Sequence, residues 1–137
     1  MDINIEKIIK NMVRIGYVSS VNAQNGSIRA TFPDKNNTVS DELPVLTRGS
    51  AKNKDYWLPD INEQVVCLLL PNGENSGAGF CLGTYFSDTA LPVVSNSNKR
   101  RLDFLDGTYI EYDRSTHELN INCVGDIKIN GKTISLN

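Results

Sequence analysis

The sequence predicts an all-β protein in two parts: a small barrel, then a short run of strands that several copies of the chain build together. Three observations lead there. Short β-rich runs bounded by Gly, Asn and Pro recur from Val13 to Phe86, with one helical period ahead of them. Composition changes at "VVSNSNKRR", where Asn, Ser and basic side chains take over. The tail "HELNINCVGDIKINGKTISLN" then alternates apolar and polar residues almost to its end, with too little chain around it to cover the apolar side.

Residues 1–12 form the first element. Ile5, Ile8, Ile9 and Met12 lie at helical spacing with Asp2 available as an N-cap, so a short amphipathic helix is expected over residues 2–12. The barrel is expected over 13–92. "VRIGYVSSVNAQNGSIRATFPD" gives two strands around Asn22 to Gly26, where Asn-Gly supplies the positive φ that a tight hairpin favours. "KNNTVSDELPVLTRGSAKNKD" is a polar loop around a short strand at Leu43 to Leu46, and "YWLPDINEQVVCLLLP" leads into a strand at Gln64 to Leu70 that is apolar enough to be buried on both faces. A glycine-rich turn, "NGENSGAG", precedes the last barrel strand, "FCLGTYF".

Residues 93–101 are expected as a linker and 102–137 as the second part. "RLDFLDG", "TYIEYDRSTH", "ELNINCVGD", "IKING" and "KTISLN" are very short strands separated by turn residues. Leu119, Ile121 and Cys123 share one parity, as do Ile127 and Ile129; Ile134 and Leu136 resume on the other after the Asn130-Gly131 turn. A meander this size falls under the ~40 residues below which a domain usually needs metal, disulfides or oligomerisation. Copies of the same chain are the available partner. A threefold arrangement puts these seven residues at a shared core and the Asn, Lys, Glu and Asp side chains outside, forming a stiff prism.

Charge and cysteine content narrow the function classes. The net charge of −2 gives the chain no long-range attraction for nucleic acid or anionic membrane. Cys67, Cys81 and Cys123 are odd in number and lack CxxC spacing, so free thiols are expected, with no zinc site. No segment approaches the ~20 apolar residues of a membrane helix, and "MDINIEKIIKNM" is too charged for a signal-peptide core. A soluble chain made in the cytosol is the expectation.

Residue types that could bear chemistry each have a plainer reading. His117 in "DRSTHEL" has Asp113 and Glu118 nearby, but no nucleophile or oxyanion site accompanies it, and a turn residue is expected. Lys99, Arg100 and Arg101 read as solvated surface beside the linker, or, repeated threefold, as a basic collar. Trp57 beside Tyr56 is expected to plug one end of the barrel in preference to stacking a ligand. Cys123 is a small inward-facing hydrophobe. "PNGENSGAG" lacks the Lys-Ser/Thr and following helix of a phosphate loop. No catalytic, cofactor or metal residue is assigned.

The ordered combination "VRIGYVSSVNAQNGSIRATFPD", "LPVLTRGSAKNKDYWLPDINEQVVCLLLPNG" and "GFCLGTYF" resembles the baseplate assembly protein V family, the central spikes of contractile tails. Arg14, Ile15, Gly16, Trp57, Pro59, Glu63, Gln64, Val65, Leu82, Gly83 and Tyr85 fill the family's motif positions. Asn62 replaces the usual glycine before Glu63, a mild departure because Asn tolerates a left-handed backbone. "DGTYIEYDRSTHELNI" is similar to the start of the family's β-prism. The resemblance implies an OB-fold barrel followed by a trimeric intertwined β-helix, in a phage or a phage-tail-like bacteriocin.

Its implied role is mechanical. Such a spike caps the tail tube, contacts the baseplate hub, and is driven through the target cell envelope. No cofactor and no enzymatic activity are expected. Some longer spikes of the family hold one iron ion through a His-x-His pair from each chain; here no histidine follows His117, so no metal is expected. A separate tip protein, or the chain's own last residues, then covers the end. The alternative function is single-stranded nucleic-acid binding, as OB barrels often perform with aromatics among basic residues.

Overall fold

The computed structural model describes residues 4–71 and 77–137, which divide into two units, Met1–Ala90 and Leu91–Asn137. The protein is all-β, with antiparallel sheets. The expected Asp2 cap and most of the "NGENSGAG" turn lie outside the described residues. The first unit opens with α1, Ile5–Met12, capped by Asn4, whose side chain accepts from the Lys7 N–H at 3.1 Å. A Glu6–Lys10 pair at 3.0 Å spans one exposed turn.

β1 (Val13–Asn22) follows without a loop and pairs with β2 (Ser27–Phe32). Their connection is a four-residue loop in which Gly26 alone takes positive φ (+70°), while the Asn22 side chain accepts from the Asn25 N–H. After Phe32 come β3 (Thr38–Val39) and β4 (Leu43–Pro44), both paired to β2. A long loop leads to β5 (Gln64–Leu69), which lies between β1 and β6 (Gly79–Thr84). β4 links the two ends. It pairs with β2 on one side, while the next residue, Val45, bridges Cys81 of β6 in parallel and Leu46 donates to the Cys81 carbonyl at 3.0 Å. The strands thus follow each other around a closed ring, β1-β2-β4-β6-β5, and back to β1.

Val18, Ile28, Ala30, Phe32, Leu43, Val65, Cys67, Leu69 and Cys81 fill the inside of that ring, each almost wholly buried. β5 is not fully buried on both faces as its composition suggested: Val65, Cys67 and Leu69 point inward and are buried, while Gln64, Val66 and Leu68 on the outer side stay partly exposed. Gly16 is required by close approach. A Cβ there would stand 2.7 Å from the Thr31 carbonyl oxygen and 2.9 Å from the Phe32 ring. Asn62 does adopt the left-handed conformation (φ +71°), and Val18 holds it by accepting from the Asn62 N–H at 2.7 Å and donating to the Glu63 carbonyl at 3.0 Å.

The second unit is a three-stranded antiparallel meander of β7 (Lys99–Asp103), β8 (Tyr109–Asp113) and β9 (Glu118–Asn122). One sequence expectation is corrected here: Lys99, Arg100 and Arg101 are strand, not linker, because each finds a partner on β8. Within the single chain, none of the described residues after Asn122 lies in a strand, and β9 is an edge of its sheet.

Candidate functional site: the apolar face of the C-terminal sheet

Two turns set the register of this sheet. In the first, Asp106 accepts from the Thr108 N–H at 2.9 Å, Gly107 takes φ +95°, and Phe104 donates to the Thr108 carbonyl at 2.9 Å. The Thr108 N–H holds the Asp106 carboxyl below the usual carboxylate range. In the second, the Ser115 hydroxyl and N–H both donate to Asp113 Oδ1, at 2.6 and 2.9 Å, and lower its carboxyl in the same way. His117 closes that turn with φ +62° and donates its N–H to the Asp113 carbonyl at 2.8 Å. It is the exposed turn residue that its sequence context suggests.

With register set, the pleat sorts the residues. Arg100 pairs with Tyr112, which pairs in turn with Leu119; Leu102 pairs with Ile110, which pairs in turn with Ile121. Apart from Arg100, this face is apolar throughout. Lys99, Arg101 and Asp103 share the other face with Asp113, Glu111 and Tyr109, and with Glu118, Asn120 and Asn122.

Burial is the reverse of what one free sheet should show. On the apolar face Leu102 is 62% exposed, Ile110 38%, Tyr112 41%, Leu119 62% and Ile121 54%. On the charged face Glu111 is only 6% exposed. Its carboxylate accepts from Arg101 Nη1 at 3.1 Å and pairs with Lys99 Nζ at 3.4 Å; Arg101 Nε also reaches Asp103 Oδ1 at 2.9 Å, and the guanidinium sits 3.8 Å from the Tyr109 ring centroid. The charged face satisfies itself. The apolar face has no cover within the sheet, and contiguous exposed apolar surface of this kind marks a site of association.

The residues expected at a shared core fall in two groups. Leu119 and Ile121 lie on the apolar face. Cys123 lies just past β9, half-buried, its thiol 3.7 Å from the Asp126 carbonyl oxygen. Ile127, Ile129, Ile134 and Leu136 are each at least half exposed on the tail. Sequence reading missed Leu102, Ile110 and Tyr112, although "RLDFLDGTYIEYD" carries the same alternation. Lys99 and Arg101 are not a free basic patch, because Glu111 and Asp103 occupy them; only Arg100 of the three points to the apolar side.

In the first unit, Trp57 is not part of the buried core. It is partly exposed, with its indole N–H donating to the Leu46 carbonyl at 3.1 Å, and so ties the long loop to the end of β4 instead of plugging the ring. Tyr56 reaches the Ala23 carbonyl at 3.3 Å. Arg48 is held by Asp55 at 2.7 Å. No cluster of His, Cys, Asp and Glu suited to a metal ion occurs among the described residues, and no helix among them is long and apolar enough to cross a membrane.

No protein-family model matches the chain. The chain is 28% identical over 118 residues to the Spike protein of Escherichia phage P2, an alignment covering 86% of this chain and 54% of that protein. It therefore spans about half the length of the curated relative it matches. The resemblance to a phage spike family, read from the ordered motifs between Arg14 and Tyr85, is borne out by this relative.

Proposed function

We propose that this chain is a structural spike of a contractile-tail baseplate, in a phage or a phage-tail-like bacteriocin, working as a homotrimer without catalytic chemistry. The observation that carries the proposal is the C-terminal sheet, which leaves its whole apolar face in water while burying Glu111 on its charged face. The similarity to a phage spike protein supports the same reading.

Three such sheets, each forming one wall, bring Leu102, Ile110, Tyr112, Leu119 and Ile121 to a common axis and leave the Lys99–Arg101–Glu111 network outside. Cys123, Ile127, Ile129, Ile134 and Leu136 continue the inner surface. Neighbouring copies supply the strand partners that the tail lacks in its own chain, giving an intertwined β-prism whose only free edges are at its ends. The N-terminal ring is an OB-fold barrel; its strand order, and the parallel Val45–Cys81 bridge that closes it, support this assignment. In the particle the barrels meet the hub and cap the tail tube. The prism points outward and pierces the target envelope when the sheath contracts, with a separate tip protein covering Ile134 and Leu136. Assembly takes place in the bacterial cytoplasm.

The nucleic-acid alternative has less behind it. The outer face of β1, β5 and β6 presents Val13, Ile15, Tyr17, Val66, Leu68, Phe80 and Leu82, an apolar surface without the basic groove that single strands require. Light scattering on the full chain decides the central point. A mass near three times 15.2 kDa is expected; a monomer at micromolar concentration would overturn the proposal. Saturable, salt-sensitive binding of a labelled oligonucleotide would favour the alternative.

A further inference from the structure

Cys67 on β5 and Cys81 on β6 are direct partners across the antiparallel pair, and both are fully buried. The Cys81 carbonyl accepts from Leu46 on the β4 side, and the Leu70 N–H donates to Ala78 three positions along the same ladder. Cys67 and Cys81 are therefore a non-hydrogen-bonded pair, the class in which facing Cα atoms stand about 4.5 Å apart. That separation lies inside the ~4.4–6.8 Å range that a disulfide spans. We infer that Cys67 and Cys81 are a modification site, which a peroxide converts to a disulfide bracing β5 against β6.

The two sulfurs have unequal parts. The facing Cys81 side chain raises the Cys67 thiol, with burial adding to the effect, and Cys67 in turn lowers Cys81. The Cys81 thiolate attacks one peroxide oxygen; the O–O bond breaks, hydroxide leaves and takes up a proton, and Cys81 becomes a sulfenic acid. Cys67 sulfur then attacks Cys81 sulfur, the S–O bond breaks, and water departs with the Cys67 proton. Two thiols lose two electrons in all, and one hydrogen peroxide becomes two waters. A small uncharged oxidant suits the site, because both cysteines are fully buried.

The test uses the full reduced chain and hydrogen peroxide. After treatment, the protein is denatured, its free thiols are alkylated, and the unreduced peptides are mapped by mass spectrometry. The expected result is a cross-linked pair of peptides holding Cys67 and Cys81, two hydrogens lighter than the separate thiols and restored by dithiothreitol. Formation is slower than oxidation of half-buried Cys123, which serves as the internal control for oxidant activity. The brace closes a loop of the β5–β6 hairpin, so the oxidised Cys123→Ser protein melts several degrees above its reduced form. In Cys67→Ala, Cys81 has no resolving thiol and is trapped as the sulfenic acid by a dimedone probe. Full alkylation of Cys67 and Cys81 while Cys123 is oxidised would overturn the inference, as would passage of Cys81 to a sulfinic acid without cross-linking. The map is made on the unmutated cysteine pair, so a variant that fails to fold leaves the test intact.

Discussion

Replacing Ile121 with Asp tests whether the apolar face of β7–β9 is the surface on which copies associate. In the single chain the five apolar residues of that face leave the equivalent of roughly two and a half whole side chains in water, and covering them is worth ~4–8 kcal/mol per copy at ~1.5–3 kcal/mol each. Ile121, 54% exposed, supplies about 1 kcal/mol of that. Ile121→Asp removes this share and places three carboxylates near one axis, where desolvation and mutual repulsion cost several kcal/mol per ion. The penalty is as large as the gain, so the trimer is expected to dissociate at micromolar concentration. Sedimentation equilibrium reads the outcome. The sign of its pH dependence is also set: burial raises the carboxyl in the assembly above its free value of about 3.9, so association recovers as pH falls toward that value and is weakest above the raised pKa. Asn120→Asp, one residue away on the charged face, should leave association unchanged. An Ile121→Asp protein that sediments as a trimer of undiminished stability would refute the face assignment.

Other outcomes follow from the same geometry. Glu111→Gln leaves Lys99 and Arg101 adjacent without their shared counter-charge, and a lower midpoint of urea unfolding is expected. Gly16→Ala drives a methyl group against the Thr31 carbonyl and Phe32 ring and should lower the stability of the first unit by ~1–3 kcal/mol, seen as a lower melting temperature. A fragment of residues 1–92 retains the complete core of the closed ring and should stay folded by circular dichroism; light scattering should find it monomeric or weakly associated, and a tight trimer would move the association site into the ring. Elemental analysis of purified trimer should find no iron or zinc at one per three chains, because no histidine follows His117.

Much of this architecture was legible in local patterns, because the side-chain period of a strand is a property of each short segment. Alternation marked Leu119 and Ile121 as sharing a face, the Asn-Gly step before Ser27 marked a turn, and Asn62 marked a left-handed backbone position. The apolar run from Val65 to Leu70 identified a strand that fills a core. What local pattern could not provide was the partner of each face. Whether Val66 and Leu68 were covered depended on what lay outside β5, and both stay partly exposed there. Lys99 and Arg101 read as solvated charge until the β7–β8 register set them against Glu111, ten or more residues away in sequence. Closure of the ring rests on Val45 meeting Cys81 across a long loop and β5, and the β5–β6 register brings Cys67 and Cys81 face to face. Those pairings are long-range, fixed by how strands dock and not by what any one of them contains. Parity belonged to the sequence; burial, charge pairing and closure belonged to the tertiary structure.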